Sequence, residues 1–234
     1  MEYKFLLKKD RLGAKSSIYN NKSEVYELFS LSQDKPDKIT KFLSPLIKGK
    51  IVLDMGCGTG KFIPKLAHLS KFYWAIDISS SQLKFAKIKA NKLDNVKIIK
   101  ASAEKIPLES NSVDILLSSW FIGSIHNLKL RRKIISEARR VIKEGGSIYF
   151  IENNVGGDYK KIIEGRLGNE KTKVKLKWLS NHGFKKIKSF KTFFEFKNIE
   201  SAKEIFQSIF GREVASKINK KRISQNIMIY KNGK

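Results

Sequence analysis

One short run in the first third of the chain combines a carboxylate with three alternating glycines. Asp54 follows the apolar residues 51–53, and Gly56, Gly58 and Gly60 come next at every second position. Alternating glycines let a backbone turn sharply and approach a ligand closely, because no Cβ stands in the way. The pattern therefore predicts a loop that holds a nucleotide-type ligand at the carboxyl end of a strand.

A second carboxylate ends the next apolar run. Asp77 closes residues 72–76, which suit another buried strand. In nucleotide-binding α/β proteins, an acidic residue about 20 residues beyond the glycine loop accepts hydrogen bonds from ribose hydroxyls. A dinucleotide loop would need its third glycine at position 61, where this chain has Lys61. The spacing therefore argues against a dinucleotide.

Alternating strands and helices should place both carboxylates at one edge of a parallel sheet. A helix beginning near Gly60 should bury Phe62 and Leu66, and serines at 79–81 should cap the next helix. The later core elements are predicted as strands at 96–99, 112–121 and 147–152, a helix at 128–143 and a glycine turn at 145–146.

The motif Asp-x-Gly-x-Gly-x-Gly over residues 54–60, followed by Asp77, resembles motif I of class I S-adenosylmethionine-dependent methyltransferases. The ordered resemblance covers roughly residues 50–152, and its nearest likeness is to the small-molecule group of ubiquinone and menaquinone biosynthesis enzymes. It implies a doubly wound, Rossmann-like α/β fold whose seven-stranded sheet is mostly parallel with an antiparallel last strand. It also implies S-adenosyl-L-methionine as cofactor and S-adenosyl-L-homocysteine as product.

We expect a single methyltransferase domain over residues 1–234. Its parts would be a helical N-terminal segment at 1–48, the cofactor-binding core at 49–152, and the C-terminal half of the sheet at 153–234 with a helical insertion at about 197–220. Adjacent glycines at 156 and 157 predict a mobile loop over 153–169, followed by a helix over 170–181.

The resemblance also implies roles for individual residues. Asp54 would order the glycine loop or meet the cofactor's amino group through water, and Asp77 would accept from both ribose hydroxyls. Ser102 stands where the family commonly has an aspartate for the adenine amino group. The residues expected at the cofactor are Asp54, Gly56, Cys57, Gly58, Gly60, Asp77, Ile78, Ser102, Ala103, Glu104 and Ser118. None is assigned to a metal.

Methyl transfer from a sulfonium is an in-line displacement, so a base is needed only where the acceptor loses a proton. His126, beyond the predicted fourth strand, is the candidate base, because its ordinary pKa of about 6.5 suits proton transfer. Alternatively, His126 is an ordinary loop histidine. Glu152, at the end of the predicted fifth strand, should face the site and is a second candidate.

The chain is strongly basic, with 48 lysines and arginines against 22 aspartates and glutamates and a formal net charge of +26. Such a charge favours anionic partners, including nucleic acid, phosphorylated metabolites and anionic lipid surfaces. The competing explanation is background composition, because lysine heavily outnumbers arginine and is spread through every segment.

Cysteine usage and hydropathy give the expected location. Cys57 is the single cysteine, which excludes an intramolecular disulfide and fits a reducing cytoplasm. No apolar run approaches the roughly 20 residues of a membrane span. The first four residues carry charge and open no signal-peptide core. We therefore expect a cytoplasmic protein without a transmembrane segment.

Three functional hypotheses remain. The first is methyl transfer to a small molecule, with an anionic acceptor as one option. The second is methylation of RNA or DNA, which the charge favours. Against it, residues 118–121 lack the Asp/Asn-Pro-Pro-aromatic pattern of base-amine methyltransferases, and no cysteine lies outside the glycine loop for C5 methylation. The third is a catalytically inactive cofactor-binding subunit. Against it, the motif over residues 54–60 keeps its aspartate and all three glycines.

An amphipathic stretch near the C-terminus suggests where an acceptor would bind. Residues 199–210 place Ala202, Phe206 and Ile209 on one helical face. We expect residues 193–210, together with residues 19–29, to roof an apolar pocket beside the sulfonium methyl. Alternatively, this face simply packs on the edge of the sheet.

The glycine spacing and Asp77 make a direct prediction about ligands. Calorimetry should detect binding of S-adenosylmethionine and of S-adenosylhomocysteine, and no binding of NAD. Tight NAD binding without a response to either sulfur compound would contradict the cofactor assignment.

Overall fold

The computed structural model describes residues 22–233, except for the side chains of residues 164–171. Within that part of the chain the strands are β1 Ile51–Met55, β2 Phe72–Asp77, β3 Val96–Lys100, β4 Val113–Ser119, β5 Ile142–Asn153, β6 Lys185–Glu195 and β7 Arg222–Gly233. They form one sheet in the order β3-β2-β1-β4-β5-β7-β6. β7 runs antiparallel to both of its neighbours, β5 and β6, and the other strand pairs are parallel. The predicted sheet with an antiparallel last strand is confirmed.

Helices lie on both faces of this sheet. They are α1 Ser23–Ser32, α2 Lys38–Ile47, α3 Ile63–Leu66, α4 Ser80–Ala90, α5 Leu128–Val141, α6 Gly157–Asn181, α7 Ile199–Phe210 and α8 Arg212–Ala215, with short 3₁₀ turns at Ala67–Leu69 and Ile122–Ser124. Neighbouring strand residues point to opposite faces. In β4, Leu116 therefore packs into the core cluster beneath α5, while Leu117 packs into the cluster beneath α2 and α4.

The helical insertion between β6 and β7 is α7 and α8, and it forms a third core cluster. Phe206 of α7 packs edge-on against Phe29 of α1, with ring centroids 5.8 Å apart. Phe194 of β6 lies 4.8 Å from the rings of both Phe29 and Tyr159 of α6. Gly211, with φ of +89°, separates α7 from α8. The insertion is therefore a filled aromatic support behind α1 and α6.

The predicted mobile loop over 153–169 is wrong, because α6 already begins at Gly157. The adjacent glycines serve close packing instead. A Cβ on Gly157, whose φ is +79°, would stand 2.9 Å from the carbonyl oxygen of Ser224 in β7. Asp158 then accepts from the Ser224 hydroxyl at 2.7 Å, which ties the first turn of α6 to the sheet.

Two boundaries also differ from the sequence prediction. The helix after the glycine loop spans only Ile63–Leu66 and a 3₁₀ turn, because β2 starts at Phe72 and leaves no room for a longer helix. The predicted helix over 128–143 ends at Val141, and β5 begins at the next residue. The predicted glycine turn at 145–146 therefore lies within β5.

The division of residues 1–234 into a single domain stays a prediction, and residues 1–21 lie outside the described part. Across the residues that are described, no helix has the length and apolar character needed to cross a membrane.

Gly60 offers a stability test of the loop, since its φ is +75° and an added Cβ would lie 3.0 Å from the backbone of Ala86 in α4. Gly60→Ala should destabilise the fold by about 1–2 kcal/mol through the left-handed backbone and by about 1–3 kcal/mol through overpacking. Urea unfolding measures the sum.

Gly145→Ala is the matched control. Its φ is +74°, yet an added Cβ meets nothing within 4 Å. It should therefore show only the backbone effect of about 1–2 kcal/mol. Equal losses for the two variants would contradict the packing role of Gly60.

Candidate functional site

The glycine loop is held by its own backbone on the carboxyl end of β2. The amides of Gly56 and Cys57 both donate to the carbonyl oxygen of Ile76, at 2.9 and 3.0 Å. The amide of Gly58 donates to Oδ2 of Asp77 at 2.9 Å. The loop and the second predicted carboxylate are therefore one hydrogen-bonded unit.

The Asp77 carboxylate also anchors the next helix. Its Oδ1 accepts from the amide of Ser79, the N-cap of α4, at 2.8 Å. Burial raises the pKa of Asp77, while the hydrogen bonds from the amides of Ser79 and Gly58 act in the opposite direction. Each carboxylate oxygen has more than one lone pair, so Asp77 keeps acceptor capacity for a ligand hydroxyl.

Above the loop lies a cleft enclosing about 630 Å³ of space free of protein atoms. Its lining residues are Tyr26, Gly56, Gly58, Ile76, Asp77, Ile78, Gln82, Ala101, Ser102, Ala103, Ser119, Trp120, Phe121 and Ser124. Tyr26 belongs to α1, so the N-terminal segment closes over the cleft. Burial, followed by the charges of Asp77 and Glu27, raises the pKa of Tyr26 to about 12. Its phenol therefore stays neutral near neutral pH.

The cleft accounts for six of the residues predicted at the cofactor. Gly56, Gly58, Asp77, Ile78, Ser102 and Ala103 line it, whereas Asp54, Cys57, Gly60, Glu104 and Ser118 are not among the lining residues. Cys57 and Gly60 are buried within the loop. Among the lining residues that sequence reasoning left out are Tyr26, Gln82 and the aromatic pair Trp120 and Phe121 after β4. The signal for that pair was present, since it follows the apolar run 115–117 after two serines.

Asp54 lies beneath the loop with 1% of its surface exposed. Its Oδ2 accepts from the Tyr73 hydroxyl at 3.0 Å, while its Oδ1 has no hydrogen-bond partner among the described residues. The hydroxyl of Ser118, fully buried on β4, also has no partner there. Burial raises the pKa of Asp54 to about 7, despite the hydrogen bond from Tyr73. The loop thus rests on a buried carboxyl with one oxygen that has no partner among the described residues.

Trp120 is conformationally strained at the edge of the cleft. Its φ is +51°, a region that bulky residues rarely adopt and that clusters at functional sites. Its amide donates to the carbonyl of Ile151 at 2.8 Å, and its indole Nε1 donates to Asn153 at 3.1 Å. The ammonium of Lys61 lies 5.5 Å from the centre of its ring. The surrounding contacts hold this conformation in place.

Two sets of hydrogen bonds tie α1 to Trp120. The Nζ of Lys61 donates to the carbonyl oxygens of Ser30 and Gln33 at the end of α1, at 2.5 and 2.8 Å. The Gln33 amide also donates to Gln225 at 3.2 Å, and Gln225 in turn donates to Asn153 at 2.5 Å. Asn153 is the side chain that holds the Trp120 indole. The position of α1 is therefore linked to that of the tryptophan.

A second cavity adjoins the cleft, and we call it the acceptor chamber. Trp120 and Ser124 line both spaces. The chamber encloses about 610 Å³ free of protein atoms, and its other lining residues are Ile122, Gly123, Arg131, Glu152, Asn153, Lys160, Thr172, Lys175, Leu176, Trp178 and Leu179. None comes from residues 193–210, so the predicted apolar roof from the insertion is wrong. The insertion supports α1 and α6 from behind instead.

The two base candidates fall in different places. Glu152 is buried in the chamber wall, and its Oε1 accepts from the amide of Gly123 at 3.0 Å. Burial raises the pKa of its carboxyl, while Gly123 and the nearby cations Lys175, Arg131 and Lys160 act against that rise. His126 is exposed and lines neither cavity, so its predicted role as a base gains no geometric support.

The raised pKa of Asp54 predicts a pH dependence of stability. A carboxyl whose pKa rises on folding stabilises the fold fully below its unfolded pKa and loses that contribution as pH rises through its folded pKa. Without cofactor, the unfolding free energy of the protein relative to Asp54→Asn should therefore fall between about pH 4 and 7, by at most about 4 kcal/mol. Urea titrations across that range measure it.

A difference between Asp54→Asn and the unmodified protein that stays flat over the same pH range would contradict this prediction.

Comparison with known proteins agrees with this geometry. Residues 53–150 match the methyltransferase domain family. The chain is 33% identical over 171 residues to an uncharacterised protein of Methanocaldococcus jannaschii, covering 69% of this chain and 63% of that one. It is 37% identical over 108 residues to the ubiquinone/menaquinone biosynthesis C-methyltransferase UbiE of Campylobacter jejuni, covering 43% of each. The matched part thus spans less than two thirds of either relative.

Solved structures extend the likeness to most of the chain. A SAM-dependent methyltransferase from Aquifex aeolicus superimposes with a TM-score of 0.59 at 20% identity, covering 89% of this chain and 97% of that one. At this identity the likeness establishes the fold, while the loop motif and the family match carry the relationship itself. Residues 53–150 thus match the methyltransferase domain family, and the chain resembles the class I S-adenosylmethionine-dependent methyltransferases, the ubiquinone/menaquinone group among them.

Proposed function

We propose that the protein transfers a methyl group from S-adenosylmethionine to a small-molecule acceptor. The observation that carries this proposal is the acceptor chamber, which adjoins the cofactor cleft at Trp120 and Ser124. It is lined by residues of α5, α6 and β5, so it forms a concave recess of the kind that small-molecule sites use. An acceptor bound in the chamber would place its methyl-accepting atom at this junction, next to the methyl donor in the cleft.

The residues of the cleft fit the proposed cofactor. A Cβ on Gly56 would stand 2.8 Å from the ring of Phe121, so glycine suits the point where the loop passes that ring in the cleft wall. The unpartnered Oδ1 of Asp54 suits a cationic amino group, and the remaining lone pairs of Asp77 suit ribose hydroxyls. Bound cofactor supplies the activated methyl, and the protein supplies orientation and exclusion of water.

Within the chamber, Glu152 is the residue we propose for proton transfer if the acceptor must lose a proton. It is buried, burial raises the pKa of its carboxyl, and the Gly123 amide fixes its orientation. A general base works best when its pKa lies near the working pH. Glu152 therefore takes over the role that the sequence offered first to His126.

A nucleic-acid acceptor is the second candidate, and the net charge of +26 is the observation that favours it. A conspicuous run of exposed lysines, however, lies on β6, at Lys185, Lys186, Lys188 and Lys191. β6 is the edge strand farthest in sheet order from β3 and is separated by β7, β5 and β4 from the strand that carries the loop. Lysines on an exposed edge strand also prevent edge-to-edge association, which is a sufficient reason for their presence.

The ribose role of Asp77 is tested by Asp77→Ala. The variant should bind S-adenosylhomocysteine more weakly by about 1.5–3 kcal/mol for each charged hydrogen bond that is lost. Calorimetry gives the dissociation constant, and a thermal melt establishes that the variant folds. Asp94→Ala, at an exposed aspartate, should leave binding unchanged. An unchanged dissociation constant in folded Asp77→Ala would refute the role.

The acceptor class is tested with S-adenosylmethionine labelled in its methyl group. The protein is incubated with the small-molecule, RNA and protein fractions of a cell extract, and Asp77→Ala serves as the inactive control. We expect label in the small-molecule fraction and none above the control in the others. Label confined to RNA would establish the second candidate, and label in no fraction would refute methyl transfer.

A further inference from the structure

The acceptor chamber carries a distinctive set of charges. Among its described lining residues, Arg131, Lys160 and Lys175 are cationic, and Glu152 is the sole carboxylate. Arg131 is 5% exposed and Lys160 is 7% exposed. Cations are rarely buried to this extent, because removing a charge from water is costly unless an opposite charge or strong hydrogen bonds offset it.

Arg131 is the clearest case. Its Nε donates to the carbonyl oxygen of Ile125 at 2.9 Å, and its Nη2 donates to the same atom. Its guanidinium also lies over the ring of Trp178, 4.7 Å from the ring centre. These contacts hold the group in place with neutral partners, so they orient its charge in the chamber wall without cancelling it. A fork of donors fixed in this way is suited to a carboxylate or phosphate.

Glu152 lies in the same wall as these cations. Burial raises the pKa of its carboxyl, while the Gly123 amide and the charges of Lys175, Arg131 and Lys160 act against that rise. Arg131 comes from α5 and the two lysines come from α6. Cationic side chains therefore reach the chamber from two separate helices.

The remaining wall combines apolar side chains with uncharged polar ones. Ile122 and Leu179 are buried, and Leu176 and Trp178 pack against the core beneath α5. The indole Nε1 of Trp178 is buried and has no hydrogen-bond partner among the described residues, so a donor remains available in this wall. Apolar surface with a few convergent polar groups is the usual composition of a site for an organic ligand.

We propose that the acceptor is a small molecule with an apolar body and an anionic group, a carboxylate or phosphate, bound by Arg131, Lys160 and Lys175. This inference rests on the proposed function and specifies its substrate class. The three cations set specificity, because an uncharged analogue would leave them facing an apolar ligand. Methyl transfer itself occurs at the Trp120 end of the chamber, next to the cofactor cleft.

The charge of the acceptor is tested before the acceptor is identified. The small-molecule fraction of a cell extract is separated on an anion exchanger into bound and unbound pools. Each pool is incubated with the full chain and methyl-labelled S-adenosylmethionine. We expect acceptor activity in the bound pool, and treatment of that pool with phosphatase separates phosphate acceptors from carboxylates.

The chamber cations are tested with a matched pair on α6. Lys175 lines the chamber, whereas Lys177, two residues along the same helix, is exposed and lines neither cavity. Lys175→Met should raise KM for the bound-pool acceptor by at least about tenfold, the loss expected when a charge-assisted hydrogen bond is removed. Lys177→Met should leave KM unchanged, and both variants should bind S-adenosylhomocysteine like the unmodified protein.

Each result bears on one proposal or the other. Acceptor activity in the unbound pool, or equal KM values for the two lysine variants, would overturn the anionic acceptor and leave small-molecule methyl transfer intact. Label in neither pool, with S-adenosylhomocysteine still bound, would overturn the proposed function and this inference with it.

Discussion

The hydrogen bonds between the glycine loop and the end of β2 are the contact on which the site depends. A loop built on glycine has few side chains of its own to fix its shape, so its conformation rests on backbone amides that need acceptors. Ile76 and Asp77 supply those acceptors. Asp77 also accepts a hydrogen bond from the amide of Ser79, the N-cap of α4. One carboxylate thus sets the loop, starts the next helix and faces the cleft. Ligand binding in the cleft and the folding of the loop therefore both depend on Asp77.

The lysine that follows the glycine loop joins the loop to the helix above it. Burial lowers the pKa of Lys61 to about 7, yet its Nζ is aligned with two carbonyl oxygens at the end of α1. Cationic groups are favourable at this end of a helix, where the backbone dipole is negative. Glu27 of α1 is likewise paired with Lys89 of α4 at 2.6 Å. The helix that carries Tyr26 is therefore fastened to the cofactor-binding core from two directions.

Filling the insertion with aromatic rings has a consequence for the acceptor chamber. Phe206 and Phe194 pack against Tyr159, so the start of α6 is fixed on the same cluster as α1. Lys160, the next residue, is thereby held in the chamber wall. The insertion contributes no residue to either cavity. It nevertheless fixes the position of α1 at the cofactor cleft and of α6 at the acceptor chamber. A hydrophobic stripe on a helix identifies a buried face without saying whether that face encloses a ligand or another core.

The sequence by itself determined the cofactor half of the site, because that half is local. A strand, a glycine loop and an acidic residue at the next strand end lie close together in the chain, and parallel β1 and β2 bring Asp54 and Asp77 to one edge. Only the tertiary structure decided the acceptor half. The sequence predicted Glu152 at the site, but Arg131 of α5 and Lys160 and Lys175 of α6 reach the same wall only through packing over the whole sheet. No spacing in the sequence records that placement, since each residue also suits an ordinary charged position on the surface.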